Sequence, residues 1–266
     1  MARLALLLLL LLLLLLLSSG VGSTTVGALC AGVTAMRFAV EGQFKGALLL
    51  ILLAAVMDGL DGRLARLLKS ESEIGAELDS LCDFVNFGVA PGLILWLWAL
   101  QDMRAAGWIA VLIYVVSCLL RLARFNLGNK AADTPAEKTG AEKSGFQGVP
   151  SPAGALLVFL PMFAAFAVGE PQPFHGGLIA VYMALVGAAM IGRFRTPSFK
   201  KISLQARYVR YFFVAFAALV AALLAYPWAT LAGLDIVYVV VVVASLLRRR
   251  SDPDPEPPKE DVPDGA

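Results

Sequence analysis

Chemistry based on imidazole or thiolate has little to work with here, since the chain holds one histidine and three cysteines among 266 residues. His175 lies in a short connection of Pro and Gly, so a histidine triad or a zinc site of ordinary composition is hard to build. Cys30, Cys82 and Cys118 each sit inside an apolar run without metal-binding or redox spacing, and they read as packing residues. Charge is scarce as well. Only 16% of residues are Asp, Glu, Lys or Arg, against about a quarter in soluble domains, which argues against a soluble fold. No basic stripe interleaves with exposed aromatics, which speaks against nucleic acid as a partner. Any chemistry must come from carboxylates and arginines.

What the chain has in abundance is apolar length: 59% of its residues are hydrophobic. Blocks at 24–40, 46–62, 77–100, 107–127, 152–168, 176–192, 209–226 and 231–247 each approach the roughly 20 residues that cross a ~30 Å hydrocarbon core as a helix. The pattern predicts an all-α, polytopic transmembrane helix bundle of about eight spans. The connections after every second block hold the basic residues: Arg63, Arg66 and Lys69, then Lys130, Lys138 and Lys143, then a cluster from Arg193 to Arg210, then Arg248, Arg249 and Arg250. The alternate connections hold little beyond Lys45 and Arg104. Basic loops stay inside, so these connections and the C-terminus are expected to be cytoplasmic, with the protein in the inner membrane.

The chain divides into three segments: a leucine-rich N-terminal segment over 1–22, a transmembrane domain over 23–250, and a Pro-rich acidic tail over 251–266. The tail, with six acids, one lysine and five prolines, is expected to be disordered. Without it the membrane part is basic, which suits anionic lipid headgroups. Residues 4–17 are leucine except Ala5. An interfacial or re-entrant segment keeps the orientation above, while a ninth span or a signal peptide are the other readings.

The most informative stretch runs from Asp58 to Asp83. Asp58 and Asp61 are spaced i,i+3 and Asp79 and Asp83 i,i+4, so on two helices each pair shares one face. A short turn would bring the faces together. Four carboxylates on one hairpin beside a bilayer repel each other unless a cation intervenes, and hard oxygen donors suit Mg²⁺ or Mn²⁺. A solvated helix end balanced by Arg63, Arg66 and Lys69 fits the spacing too. So does Asp58 as an ordinary helix cap.

The full pattern goes further. Asp58, Asp61, Gly62, Ala65, Arg66, Gly75, Asp79 and Asp83 stand at spacings that resemble the signature of the CDP-alcohol phosphatidyltransferase family at all eight fixed positions. SLCDFVNFGVAP at 80–91, RLARFN at 121–126 and FQGVPSPA at 146–153 resemble the branch whose acceptor is serine. The resemblance runs from about Leu29 to Phe166. It implies the family's transmembrane fold, CDP-diacylglycerol and L-serine as substrates, phosphatidylserine and CMP as products, and a possible homodimer. It also implies that Asp58, Asp61, Asp79 and Asp83 surround metal ions, with Asp83 the general base. Asp58, Asp61, Gly62, Ala65, Arg66, Gly75 and Thr25 would meet the CDP-lipid. Arg121, Arg124, Asn126 and Ser151 would meet the acceptor or a phosphate; from the residues alone, Arg121 and Arg124 also read as arginines snorkelling to the inner interface.

One departure stands out. Family members often carry Pro-Asn before the first span and a Thr three residues after the Asn, whereas this chain has Val21 and Gly22 and keeps only Thr25. Two rivals remain at this level. One is the same chemistry on glycerol 3-phosphate or inositol phosphate, and the other is an ion or lipid transporter, whose pathways intramembrane acids also mark.

Overall fold

The computed structural model describes residues 22–68, 73–132, 148–169, 174–192 and 209–249. The leucine run, most of the 129–149 connection and the acidic tail lie outside them. Among the described residues every regular element is a helix.

Helices α1 (Gly22–Val40) and α2 (Phe44–Leu68) form a close hairpin. Small side chains make that closeness possible: Ala28, Ala31, Ala35 and Ala39 on α1 and Ala47 and Ala54 on α2 are all buried. In an apolar solvent, helices gain little from hiding greasy surface and associate through such close van der Waals contact. Helix α2 continues to Leu68, beyond the expected end of the apolar block at 62, because Leu and Ala dominate its last turns. Asp58 therefore stands inside a helix, and its reading as a cap falls.

Helix α3 (Glu73–Asp83) passes directly into a π-helical segment, Phe84–Val89, then α4 (Ala90–Leu95) and a second π segment, Trp96–Leu100. The cause of the first widening is Pro91, which has no N–H to give the carbonyl of Phe87 four residues back. The backbone shifts to five-residue bonding, with Ala90 N–H on the Val85 carbonyl. The wholly buried Tyr114 donates its hydroxyl to the Phe87 carbonyl at 2.7 Å. A turn at Gln101–Met103, ending at Arg104 with φ 47°, reverses the chain into α5 (Arg104–Ala132).

Helices α6 (Ser151–Val158) and α7 (Leu160–Val168) meet at 40°. Pro161 deprives the Leu157 carbonyl of its donor, and Tyr182 from α8 (Gly176–Ile191) donates to it at 2.7 Å. Helices α9 (Val209–Ala225) and α10 (Pro227–Arg249) complete the described chain. α8 lies along α5 and α10 along α7, around a core that includes Phe87, Ile94, Tyr114, Phe159, Met162 and Phe163.

Each of the eight apolar blocks falls on helix. By length and apolarity, two stretches of the described residues can cross a membrane, Ile74–Gly128 and Pro227–Ala244, or three with the bent α6–α7 pair. Large apolar side chains lie exposed along α5 (Leu112, Ile113, Val116) and α9 (Phe213, Val214, Phe216). A surface of that kind requires apolar surroundings, as in a membrane protein.

Candidate active site

The α2–α3 hairpin brings three of the four aspartates together. Asp58 on α2 and Asp79 and Asp83 on α3 are half-buried, and one carboxylate oxygen from each lies within 4.8 Å of the others. The i,i+4 spacing puts Asp79 and Asp83 on one face of α3, and that face turns toward Asp58. Asp61, Gly62, Ala65 and Arg66 continue along α2, with side chains outside the described residues. Gly75 stands half-buried in the first turns of α3, and Thr25 is buried on α1, which packs against α3.

With their oxygens this close, the three carboxylates repel one another unless a cation lies between them. The three oxygen donors from the described side chains fit a hard divalent ion such as Mg²⁺ or Mn²⁺ far better than a thiophilic one.

Arg121 supplies the positive charge that acts on Asp83. It is buried, and its Nε donates to the carbonyl of Val149 just before α6. Arg124, one turn on and exposed, donates from Nη1 to the carbonyl of Ile191 at 2.9 Å, at the C-terminal end of α8 where the helix dipole favours a cation. Both arginines thus tie α5 to neighbouring backbone. Asn126 pairs with Ser80, its Nδ2 donating to Oγ at 2.9 Å and its Oδ1 accepting from Oγ at 3.2 Å. It therefore steadies α3 next to Asp79. Ser151 opens α6, wholly buried beside Cys118, and its Oγ has no nitrogen or oxygen partner among the described residues.

Several residues that sequence reasoning did not single out belong to the surroundings. Asn86, three positions past Asp83, is buried with its Oδ1 turned onto Gly32 of α1; a Cβ at position 32 would stand 2.0 Å from that oxygen. A larger residue there would have to push the Asn86 amide aside. Tyr114 holds the π segment, and Asp235 and Tyr238 place buried oxygens on α10. Polar residues inside otherwise apolar blocks were the available signal for all four.

A sequence profile described as CDP-alcohol phosphatidyltransferase matches residues 22–193. The chain is 38% identical over 206 residues to the CDP-diacylglycerol--serine O-phosphatidyltransferase of Mycobacterium leprae, covering 77% of this chain and 67% of that protein. It is 44% identical over 146 residues to the protein of that name from Mycobacterium bovis, covering 55% of this chain and about half, 49%, of the relative. The Bacillus subtilis protein of that name is 30% identical over 178 residues, 66% of this chain and 89% of its own length.

Proposed function

The chain belongs to the CDP-alcohol phosphatidyltransferase family, and from that premise we propose that it transfers the phosphatidyl group of CDP-diacylglycerol to L-serine, giving phosphatidylserine and CMP. The observation that carries this reading is the convergence of Asp58, Asp79 and Asp83 with Arg121 at hand.

Asp58, Asp61, Asp79 and Asp83 would hold divalent metal, which when bound neutralises charge on the pyrophosphate. Asp83 takes the proton of the serine hydroxyl, whose oxygen forms a new bond to the lipid-side phosphorus. The bond from that phosphorus to the CMP oxygen breaks, and CMP leaves with the electron pair. Asp83 then releases the proton. Positioning and fixed charge suffice for such a displacement, without a covalent enzyme intermediate. Thr25, Gly62, Ala65, Arg66 and Gly75 line the CDP-lipid side. Arg121, Arg124, Asn126 and Ser151 line the acceptor side. Each arginine spends one nitrogen on a backbone carbonyl in the bonds described, and its remaining donors suit a phosphate or carboxylate fork.

The purified chain in mixed micelles with CDP-diacylglycerol and Mn²⁺ or Mg²⁺ should release CMP when L-serine is added. Release with glycerol 3-phosphate or inositol phosphate and not serine would move the acceptor, and no release with any alcohol would sink the transferase reading. The same proposal includes about eight spans in the inner membrane, a cytoplasmic site and a homodimer. A cysteine introduced at Ala141 should then resist impermeant thiol reagents applied outside intact cells, one at Gln172 should label, and cross-linking in membranes should yield a two-chain species. Labelling at Ala141 would reverse the topology, and an uncross-linkable monomer would remove the dimer.

A further inference from the structure

Outside the aspartate cluster, polar groups collect at one more place in the bundle. The hydroxyl of Tyr238 on α10 is buried and has no hydrogen-bond partner among the described residues. Ser151 Oγ, in a residue only 2% exposed, has no nitrogen or oxygen partner among the described residues either and lies against the Cys118 thiol. Buried hydroxyls are rarely left without a partner, because the bonds they made to water are then lost without replacement. Arg121 connects them. Its Nε bond to the Val149 carbonyl holds the guanidinium near the start of α6, two residues before Ser151, and its charge acts on both Tyr238 and Asp83. Arg121 is itself 8% exposed and forms no salt bridge among the described residues, where the one ion pair is Arg37–Glu41. A buried guanidinium whose charge reaches an unpartnered tyrosine hydroxyl, with a serine hydroxyl engaged only by a thiol on the adjoining helix turn, is the donor set of an oxyanion receptor.

We propose that Tyr238 is a substrate-positioning residue, its hydroxyl completing with Arg121 and Ser151 a buried receptor for one oxyanion, either the acceptor's carboxylate or the lipid phosphate. The choice of oxyanion rests on the phosphatidyl-transfer reading. Tyr238 lies beyond residues 22–193, so this donor comes from outside the segment that the family profile covers.

The test compares the full-length wild type with Tyr238→Phe, which keeps the ring and removes the oxygen. Tyr182→Phe serves as a control, since its hydroxyl is occupied by the Leu157 carbonyl. Losing one charge-assisted donor should raise the KM for one substrate by about ten- to a hundredfold. A rise for serine, with the KM for CDP-diacylglycerol unmoved, identifies the acceptor's carboxylate; the reverse identifies the lipid phosphate. In the first case Tyr238→Phe should also lose discrimination between serine and ethanolamine, which lacks the carboxylate. Tyr182→Phe should move neither KM. Apart from turnover, L-serine or inorganic phosphate should raise the unfolding temperature of the wild type, and Tyr238→Phe should lose that rise. A Tyr238→Phe protein with both KM values and both thermal shifts unchanged overturns the proposal, as does a wild type that neither compound stabilises. A wild type that is stabilised but releases no CMP with serine leaves the receptor standing and overturns the function assigned above.

Discussion

The helix that carries Asp83 and the bent pair α6–α7 both meet a proline deep in the bundle, and both mend the loss with a tyrosine from a neighbouring helix. Pro91 strips the Phe87 carbonyl and Tyr114 replaces the missing donor; Pro161 strips the Leu157 carbonyl and Tyr182 replaces it, each at 2.7 Å. The outcomes differ. At Pro91 the helix widens into a π segment, whereas at Pro161 it bends by 40°. A π turn winds in one more residue than an α turn, so it rotates everything upstream by about 100° relative to the helix downstream. Upstream of Pro91 are Asp79 and Asp83, while Ser151 is the first residue of the helix upstream of Pro161. The same repair therefore sets the phase of the carboxylates in one place and the shape of a packing surface in the other.

The largest expected effect fixes the scale. Asp83→Asn keeps the side chain's size and removes the base, so CMP release should fall by about 10²–10⁴-fold. Near-normal turnover at saturating Mn²⁺ would return the role to Asp79. Next comes Pro91→Ala, which restores the N–H and allows the π segment to relax to α. A turn of about 100° would carry both Asp79 and Asp83 off Asp58, so CMP release should fall by about a hundredfold. Full activity in this variant would break the comparison, for the widening would then be incidental. Tyr114→Phe should cost about 1–3 kcal/mol of stability by leaving the Phe87 carbonyl without that donor, and turnover per folded molecule should drop a few-fold as the π segment loosens. Tyr182→Phe should cost a similar ~1–3 kcal/mol and leave turnover per folded molecule intact. Equal losses of turnover in the two tyrosine variants would erase the distinction between the two breaks.

The aspartate cluster was legible because it is local: two pairs at helical spacing on adjacent helices, joined by a short connection. Pro91 and Pro161 stand in the sequence as residues without an N–H in apolar blocks, but their effect on the helices is seen only in the fold. Nor were their tyrosine partners legible, since Tyr114 and Tyr182 lie 27 and 25 residues from the carbonyls they serve and only the packed bundle brings them there. Arg121 and Arg124 show the same limit. Their depth near the aspartates could be read from the span pattern, but their bonds to Val149 and Ile191 depend on how α6 and α8 close around α5. Asn86 on Gly32 is a further case, a fit between two helices far apart in sequence.

Gly148 has a use that concerns chain length. It sits at φ +77°, and a Cβ there would stand 2.6 Å from the Met190 carbonyl oxygen and 2.8 Å from that of Gly192, so its backbone lies directly on the end of α8. Val149 is gripped from both sides, its N–H on Ala189 and its carbonyl receiving Arg121. The segment from Gly148 to Ser151 behaves as a ruler between α8 and α6. One residue inserted there must either lift Gly148 off α8 or pull the Val149 carbonyl off Arg121 and shift Ser151 with it. This stretch of irregular backbone is thus as intolerant of insertion as a helix interior, and its length, more than its composition, is what holds Ser151 in place.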